Sequence, residues 1–507
     1  MELQADLDAQ KTQGERNRLG QFATPTALAT HILAHAKILL GDEKVRFLDP
    51  AIGTGSFYSA LRRVFPSEQI KEAAGFEIDP HYGEPAQHLW AGSGLRLELA
   101  DFTRQEPEPR FNLVICNPPY VRHHHLGKEE KDRIQAATKA HSGVTIGGLA
   151  GLYCYFLGIA HGWMSESGVA GWLIPSEFMD VNYGRQVKRY LLEQVTLLQI
   201  HRFDPDDVQF SDALVSSAVI WFRKGRPPKG HEVLFTYGGT LEEPHVARRV
   251  SVSDLADEGK WSRFPKAEVR ERSDAPTVGD FFRIKRGIAT GDNGFFILAE
   301  HELMALGLPR KYFRPILPSP RHIPGDEVLA DENGLPLLER RLFLLDPMKA
   351  EDELEAEAPA LWRYLQEGRT KGLHERYLCR TRRLWYAQET RPAAPIVCTY
   401  LGRGDLKSGR PFRFVRNRSN ATVANVWLAM YPTPRMEQAL RDDPELLDMT
   451  WRLLNKIEPN TLLGEGRVYG GGLWKLEPKE LAKVPLTELG EHVTVERAPE
   501  QLQLLDT

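Results

Sequence analysis

Features that mark zinc proteins, disulfide frameworks and exported proteins are scarce in this sequence. It has four cysteines in 507 residues, and no two of them show the C-x-x-C spacing of a zinc site or a redox centre. We therefore expect no metal ion and no disulfide framework, and a reducing cytoplasm as the compartment. The first twenty residues are polar and charged and lack the apolar core of a signal peptide, which favours the same compartment.

A long uncharged run, the usual mark of a membrane span, occurs once. Residues 144–164, VTIGGLAGLYCYFLGIAHGWM, contain no Asp, Glu, Lys or Arg and have about the length that a bilayer requires. The glycines, the tyrosines and His161 favour a loop followed by a buried helix instead. We expect no contact with a membrane.

Positive charge is not in excess over the whole chain, but it is concentrated locally. The formal net charge is −4, which gives no sign of nucleic-acid binding. Residues 371–418, however, hold twelve Lys or Arg against three acidic residues, a local net charge of +9. This segment predicts a surface that follows the phosphates of a nucleic acid.

Seven short β-rich runs alternate with helical stretches in the first half of the chain. Several of them are apolar throughout, and strands that are apolar on both faces lie in a parallel sheet with helices on each side. The pattern predicts a doubly wound α/β domain. The predicted strands cover residues 45–50, 73–79, 95–101, 111–117, 168–175, 196–203 and 214–224.

A proline- and glycine-rich break, GRPPKGHE, ends this rhythm after Lys224. A chain of this length exceeds what one hydrophobic core usually serves, so we expect at least two domains. The predicted division is a first domain over residues 1–230, a linker over 231–275, a second domain of mixed α+β structure over 276–490 and a tail over 491–507.

A glycine-rich turn, DPAIGTGSF, follows the first predicted strand at residues 49–57. In a doubly wound sheet, ligands bind beyond the carboxyl ends of the strands. Gly53 and Gly55 allow the backbone to turn tightly and to approach a ligand closely. A dinucleotide site has a third glycine where this chain has Tyr58, which argues against a nicotinamide-dependent oxidoreductase.

Two further loops at the same edge of the sheet carry residues suited to an adenosine. Glu77 ends the second strand, about 20 residues past the glycine turn, where a carboxylate binds a ribose in related folds. Asp101 and Phe102 follow the third strand. The Asp101 carboxylate can accept a hydrogen bond from an adenine amino group, and the Phe102 ring can pack on the base.

The tetrapeptide Asn117-Pro118-Pro119-Tyr120 follows the fully apolar fourth strand. The lone pair of an adenine amino group is delocalised into the ring, so the group is a poor nucleophile. The Asn117 side-chain oxygen and the Pro118 carbonyl can each accept one amino hydrogen, and the prolines hold both acceptors in place beforehand. Tyr120 supplies a face on which the base stacks.

With these motifs the chain resembles the S-adenosylmethionine-dependent DNA adenine-N6 methyltransferases, in the gamma arrangement with the catalytic domain before the target-recognition domain. The resemblance extends from about residue 20 to about residue 485. It rests on GQFATP at residues 20–25, DPAIGTGSF, NPPY, VQFSDALVSSAVIWF at 208–222, GIATGDNGFFIL at 287–298 and GEGRVYGGGLWKLEP at 464–478.

The resemblance assigns a role to each matched residue. Thr24 meets the methionine end of S-adenosylmethionine, and it is also expected to cap a helix that starts at Pro25. The implied cofactor-binding residues are Thr24, Asp49, Ala51, Gly53, Gly55, Glu77, Asp101 and Phe102. The implied catalytic residues are Asn117, Pro118, Tyr120 and Phe210, the last packing edge-on against the target base.

The implied reaction moves a methyl group from S-adenosylmethionine to the N6 amino group of an adenine rotated out of double-stranded DNA. The implied fold is the methyltransferase version of the doubly wound sheet, with residues 214–224 as the one antiparallel strand. Amino methylation needs no covalent intermediate. Cys116, at the end of an apolar strand, is therefore expected to be a buried structural thiol.

Other functions share parts of this pattern. NPPY also serves the methylation of adenine in RNA and of glutamine in proteins, although the basic second domain favours duplex DNA. A methyltransferase subunit of a larger restriction or defence complex is a further alternative, and so is a catalytically silent DNA-binding subunit. We expect a monomer in a restriction-modification system, beside a restriction endonuclease that acts separately.

Overall fold

The computed structural model describes residues 2–121, 126–204, 216–265, 275–403, 410–469 and 473–493. The chain divides into two compact units. The catalytic unit contains Met1–Glu271 with Tyr469–Gly472, and the carboxy-terminal unit contains Arg272–Val468 with Leu473–Thr507.

The catalytic unit alternates strands and helices, as the sequence predicts. Its helices are α1 (Glu2–Ala9), α2 (Gln13–Leu19), α3 (Thr26–Leu40), α4 (Ser56–Val64), α5 (Pro80–Leu89), α6 (Lys128–Ser142), α7 (Leu152–Ala160), α8 (Gly184–Glu193) and α9 (Val252–Asp257). Its strands are β1 (Val45–Asp49), β2 (Ile70–Glu77), β3 (Leu95–Leu99), β4 (Phe111–Cys116), β5 (Met164–Pro175), β6 (Val195–Arg202), β7 (Ser217–Lys224), β8 (Glu232–Gly239) and β9 (Pro244–Ser251).

In the described part of this unit the strands form one sheet in the order β3-β2-β1-β4-β5-β7-β6-β8-β9. Strands β1 to β5 are parallel, and β7 runs antiparallel to both of its neighbours. The predicted doubly wound methyltransferase sheet is therefore confirmed.

Alternate residues of the central strand β4 enter different hydrophobic clusters. Leu113 and Ile115 pack in a cluster that includes helix α3, whereas Val114 and Cys116 pack in a cluster that includes helix α7. Both faces of the strand are thus covered by helices, which explains why its sequence is apolar apart from Asn112.

The segment expected to be a linker, residues 231–275, instead supplies the last two strands of the sheet. Strand β8 pairs in parallel with β6, and β9 pairs antiparallel with β8 at the edge. The sheet therefore has a second antiparallel strand, and the proline- and glycine-rich break is a turn between β7 and β8. Local composition cannot distinguish such a turn from the start of a linker.

The uncharged run at residues 144–164 forms a loop followed by helix α7, as expected. Eight of the nine residues of this helix are buried in the core of the unit. In the parts of the chain that the structure describes, no helix is long and apolar enough to cross a bilayer.

The carboxy-terminal unit has the predicted mixed α+β structure. Its helices are α10 (Val278–Phe281), α11 (Asn293–Phe296), α12 (Glu300–Ala305), α13 (Glu351–Glu357), α14 (Pro359–Thr370), α15 (Tyr377–Arg380), α16 (Pro434–Asp442), α17 (Leu446–Lys456), α18 (Pro459–Glu465), α19 (Pro478–Leu481) and α20 (Thr487–Gly490). Its strands are β10 (Phe282–Arg286), β11 (Ile297–Ala299), β12 (Phe313–Leu317), β13 (Glu327–Val328), β14 (Leu342–Leu345), β15 (Ile396–Thr399), β16 (Leu401–Arg403), β17 (Phe414–Asn417), β18 (Thr422–Val423), β19 (Trp427–Pro432), β20 (Arg467–Tyr469) and β21 (Leu473–Lys475).

These strands form three small sheets within the described residues. Their orders are β10-β19-β15-β17-β13, β11-β14-β12-β18 and β16-β21-β20. Short strands in several sheets explain why this half of the chain shows no regular periodicity.

Candidate active site

The carboxyl ends of β1, β2 and β4 lie at one edge of the parallel sheet, and the loops that follow them meet there. The closest link joins the glycine-rich turn to the end of β2. The backbone N–H of Gly53 donates to Glu77 Oε2 at 3.0 Å, and the N–H of Asp79 donates to Glu77 Oε1 at 2.8 Å. The structure therefore brings together two of the elements that the sequence assigned to one site.

The two glycines of the turn are needed for different reasons. Gly55 has φ +92°, and a Cβ there would lie 2.4 Å from the indole nitrogen of Trp90. That nitrogen donates to the Thr54 carbonyl at 2.9 Å and so fixes the turn. Gly53 has φ +55°, and a Cβ there would meet nothing within 4 Å. The turn is thus packed at Gly55 and open at Gly53, where a ligand can approach the backbone.

Asp49, at the end of β1, is a buried carboxyl group beside this turn. Its Oδ1 accepts from the Ala51 N–H at 3.2 Å. Among the described residues, nothing donates to its Oδ2. Burial raises the pKa of Asp49 to about 8, and burial also raises the pKa of Glu77. The raised pKa means that the folded protein holds the Asp49 carboxyl group largely in its protonated form near neutral pH. Its Oδ2 is left without a partner among the described residues.

Asp101 and Phe102 lie after β3, as predicted, but both are engaged within the chain. Asp101 Oδ1 accepts from the backbone N–H of Thr103 at 2.9 Å, and Asp101 Oδ2 accepts from Arg104 Nε at 3.2 Å. The Phe102 ring is 2% exposed and packs 5.6 Å from the Phe76 ring. Their assignment to the adenine of a cofactor stays a prediction.

The segment at residues 20–25 docks directly onto the NPPY loop. Asn117 Nδ2 donates to the Phe22 carbonyl at 3.0 Å and to Thr24 Oγ1 at 3.1 Å. Both hydrogens of the side-chain amide are therefore used. The Asn117 Oδ1 is buried and has no partner among the described residues. This arrangement leaves an oriented acceptor at the end of β4.

Thr24 does not cap the following helix. Helix α3 begins at Thr26, and its N-cap residue Pro25 makes no side-chain cap hydrogen bond. The Thr24 hydroxyl accepts from Asn117 instead. The expectation of a capping threonine was wrong because a partner distant in the sequence competes for the hydroxyl.

Tyr120 is held by its backbone and by its hydroxyl. The N–H of Tyr120 donates to the Gly20 carbonyl at 3.1 Å, and its hydroxyl donates to the Leu173 carbonyl at 3.0 Å. Its ring lies 5.6 Å from the Phe22 ring. Gly20 has φ +66°, and a Cβ there would lie 2.3 Å from the Tyr120 nitrogen. Only glycine permits this close approach.

The amino-terminal helices contact the same loops, which no motif in the sequence indicated. The Thr54 hydroxyl donates to Gln4 Oε1 at 2.6 Å. Asp79 Oδ2 pairs with Lys11, and it also accepts from Gln21 Nε2, which belongs to the GQFATP segment, at 2.7 Å. The segment before residue 20 reads only as polar and charged, because its partners belong to other elements.

The predicted site residue Phe210 and the expected structural thiol Cys116 remain to be placed. Phe210 lies outside the described residues. Cys116 is fully buried, and burial raises the pKa of its thiol well above the usual value. A thiol that resists ionisation is a poor nucleophile, in agreement with a structural role.

The basic segment at residues 371–418 is divided by ion pairs within the carboxy-terminal unit. Arg413 Nε lies 2.9 Å from Asp326 Oδ1, and Arg416 Nε lies 2.7 Å from Asp448 Oδ1. Arg418 Nη2 lies 2.8 Å from Asp448 Oδ2. These three arginines are engaged in ion pairs, so they do not form the free phosphate-binding surface that the local charge count indicated.

The residues at the sheet edge fit S-adenosylmethionine. Asp49 offers a buried oxygen without a partner among the described residues, and the open space at Gly53 admits a ligand next to the backbone. Asn117 presents its free oxygen beside the segment expected to meet the methionine end of the cofactor. Carboxyl and amide oxygens are acceptors that suit the sulfonium and the amino group of this cofactor.

Comparisons with known proteins show which family the chain is similar to. The model of the Eco57I restriction-modification methylase family matches residues 82–209, and that of the carboxy-terminal domain of the type II methyltransferase M.Eco57I matches residues 265–506. The type II methyltransferase M.XamI of Xanthomonas campestris pv. amaranthicola is 27% identical over 93% of this chain and 86% of its own length. M.AccI of Acinetobacter calcoaceticus is 25% identical over 96% of this chain and 89% of its own length.

A solved structure supports the fold. The type IIL restriction-modification enzyme MmeI in complex with DNA matches with a TM-score of 0.55 at 12% identity, over 92% of this chain and 68% of that chain. The two family models and the two type II relatives together support a DNA methyltransferase of the restriction-modification type that uses S-adenosylmethionine.

Proposed function

We propose that the protein transfers a methyl group from S-adenosylmethionine to the N6 amino group of an adenine in double-stranded DNA. The observation that carries this proposal is the orientation of the Asn117 amide. Its two hydrogens are donated to Phe22 and Thr24, and its oxygen is free. An acceptor at this position suits an amino group as the reacting centre, since an amine arrives with hydrogens to donate.

The second acceptor is the Pro118 carbonyl. Among the described residues, no donor reaches this carbonyl oxygen. The adjacent prolines restrict the backbone, so the two acceptors are fixed before the substrate binds. Accepting both amino hydrogens draws the nitrogen out of conjugation with the ring and restores its lone pair. Such preorganised polar groups contribute strongly because they need no reorganisation during the reaction.

When bound, S-adenosylmethionine supplies an electrophilic methyl group. Glu77 is held at the glycine turn and is proposed to bind the ribose, and Asp101 and Phe102 are proposed to surround the adenine. Holding the methyl group and the amine in line converts a bimolecular transfer into a local one.

The target base is proposed to rotate out of the duplex, because an amino group inside the helix cannot reach a site at the end of a sheet. Tyr120 then offers its ring to the base. The ring is partly exposed, and its hydroxyl is anchored on the Leu173 carbonyl. Phe210 is proposed to contact the edge of the same base.

The test is a labelling experiment with the full chain. Amplified genomic DNA, which carries no methylation, is incubated with the protein and deuterated S-adenosylmethionine, digested to nucleosides and analysed by mass spectrometry. We expect labelled N6-methyladenine. Labelled N4-methylcytosine contradicts the choice of adenine, and label only in RNA or in protein glutamine contradicts the choice of DNA.

The same reaction identifies the target sequence and the partners. Sequencing that detects modified adenines in the treated DNA gives the recognition site. We propose that the protein acts as a monomer in the cytoplasm of a bacterium, with its restriction endonuclease as a separate protein. A subunit of a larger complex would instead require a partner protein for methyl transfer.

A further inference from the structure

The carboxy-terminal unit exposes an unusual combination of side chains at helix α15. Tyr377 is 69% exposed and Leu378 is 39% exposed. Arg376, Arg380 and Arg383 are exposed around them. These five residues are called the 376–383 surface. Tyr377 and Leu378 thus form an exposed apolar patch with arginines around it.

Two of the three arginines of this surface carry a charge that no acidic side chain balances among the described residues. Arg380 and Arg383 have no acidic partner among the described residues, and the Arg380 guanidinium instead lies 5.6 Å from the centre of the Tyr377 ring. By contrast, Arg416 and Arg418 both form ion pairs with Asp448. The free positive charge of the basic segment is therefore found at its amino-terminal end.

The surface is seated on the loop between β10 and α11. Arg382 Nη2 donates to the carbonyls of Ala289 and Thr290, at 2.9 Å each. Arg376 Nη1 lies 2.6 Å from Asp292 Oδ2. The uncharged side chain of Cys379, which lies between Arg376 and Arg382 in the sequence, is fully buried and also fixes helix α15. Helix α15 is thus held as a platform, with Tyr377 facing outward.

Glycine is required at one position of the loop between β10 and α11. Gly291 has φ +91°, and a Cβ there would lie 2.9 Å from Cys379 Sγ. Residues 287–292, GIATGD, therefore combine backbone carbonyl acceptors, a close approach and a carboxylate that all serve α15. This explains a motif for which the proposed chemistry has no use.

We propose that the 376–383 surface binds duplex DNA, with Arg380 and Arg383 on phosphates and the Tyr377 ring against the bases. The inference rests on the proposed function, which makes duplex DNA the substrate. Guanidinium groups without protein partners complement phosphates. An exposed apolar side chain between them is suited to insert at a base step. An acidic protein partner would complement the arginines but offers no stack for the ring.

The test measures binding of the full chain to a fluorescent 30-base-pair duplex by anisotropy, at several sodium chloride concentrations. The double variant Arg380→Gln/Arg383→Gln should bind more weakly, and the slope of log affinity against log salt should shrink by about 1.8, since each phosphate contact contributes about 0.9. Arg452→Gln is the matched control. Arg452 is an exposed arginine on α17 for which no ion pair is found among the described residues, and its loss should change neither quantity.

The ring is tested separately. Tyr377→Ala should weaken duplex binding roughly tenfold without changing the salt slope, because stacking is not ionic. Tyr377→Phe should bind as the wild type does. Thermal melting of each variant shows whether it folds. If the double arginine variant melts below the wild type, Arg380→Lys/Arg383→Gln takes its place. If Tyr377→Ala melts below the wild type, Tyr377→Ser takes its place.

The outcomes separate this inference from the proposed function. If the wild type methylates duplex DNA and the arginine variants keep its salt slope, the surface is wrong and the function stands. An equal loss in the Arg452→Gln control also overturns the surface, because it shows a general effect of charge. Binding to an acidic protein but not to the duplex overturns it as well. If the wild type neither binds nor methylates any duplex, both proposals fail.

Discussion

The side-chain amide of Asn117 donates to the hydroxyl of Thr24 at 3.1 Å, across 93 positions of the sequence. With the Phe22 carbonyl as its second acceptor, the amide cannot rotate by half a turn without placing its oxygen against that carbonyl, which has no hydrogen to donate. The amide oxygen is therefore held in one orientation before any substrate binds, and we propose that it accepts from the incoming amine. Catalysis should depend on the amide itself and on the contacts that hold it.

Asn117→Ala should abolish methyl transfer. Removing one preorganised polar group typically lowers kcat by about 10²–10³-fold. Binding of S-adenosylmethionine and of duplex DNA should change little, because the glycine turn and the carboxy-terminal unit are untouched. Single-turnover methylation and two separate binding titrations measure these quantities. Normal turnover in the variant contradicts the role of the amide.

Thr24→Val should lower kcat by roughly five- to tenfold, since the loss of one such hydrogen bond costs about 1 kcal/mol. Thr24→Ser keeps the hydroxyl and serves as the control. Because Thr24 acts through Asn117, the KM for DNA should stay the same while kcat falls. Equal kcat values for the valine and serine variants would show that the hydroxyl does not orient the amide.

Gly20→Ala should impair both folding of the site and catalysis. Gly20 has φ +66°, and the added methyl would lie 2.3 Å from the backbone nitrogen of Tyr120. Gly143→Ala is a matched control, since Gly143 has φ +71° in the left-handed region and a Cβ there would meet nothing closer than 3.9 Å. Both variants carry the cost of a positive φ, about 1 kcal/mol.

The comparison of these two glycine variants isolates the close approach. We expect a similar fall in Tm from the backbone strain, with a larger fall and a loss of kcat only in Gly20→Ala. Differential scanning fluorimetry and a methylation assay measure the two effects. Identical behaviour of the two variants contradicts the requirement for close contact with Tyr120.

Asp49→Asn should change how stability depends on pH. Burial raises the pKa of Asp49 from its usual 3.8 to about 8, so the folded protein keeps a proton that the unfolded chain releases. Between about pH 4 and pH 8 the folded state binds more protons. The contribution of this group to stability is therefore present below about pH 4 and is lost as the pH rises, by about 1.4 kcal/mol per pH unit.

The asparagine variant lacks this titration. Its Tm relative to that of the wild type should rise steadily when the pH is raised from 5 to 8, with the ligand-free protein at constant ionic strength. A difference in Tm that does not change over this range contradicts a buried, protonated Asp49.

Much of the catalytic unit could be predicted from local patterns. An apolar run such as that of β4 is fully buried wherever it lies, so it identifies a central strand without reference to its neighbours. The positions of Glu77 and Asn117 at strand ends follow from the same runs. Strands β8 and β9 were missed because they follow the proline- and glycine-rich break, and because the edge strand β9 alternates between exposed and partly buried residues.

The carboxy-terminal unit was predicted only in outline. Its strands are short and are shared among three sheets, so no period persists long enough to be recognised. The count of basic residues was correct, but it could not show which cations are free. Arg416 is neutralised by Asp448, whereas Arg380 has no acidic partner among the described residues.

The sequence by itself determined the elements and the reactive groups: a parallel sheet, a glycine turn, carboxylates after two strands and an asparagine locked by prolines. These are local properties, because burial of a strand and restriction by proline depend on adjacent residues. Only the tertiary structure decided which way the Asn117 amide faces, what Thr24 does and which arginines remain unpaired. Those outcomes depend on hydrogen bonds and ion pairs between residues far apart in the chain, and packing alone brings such partners together.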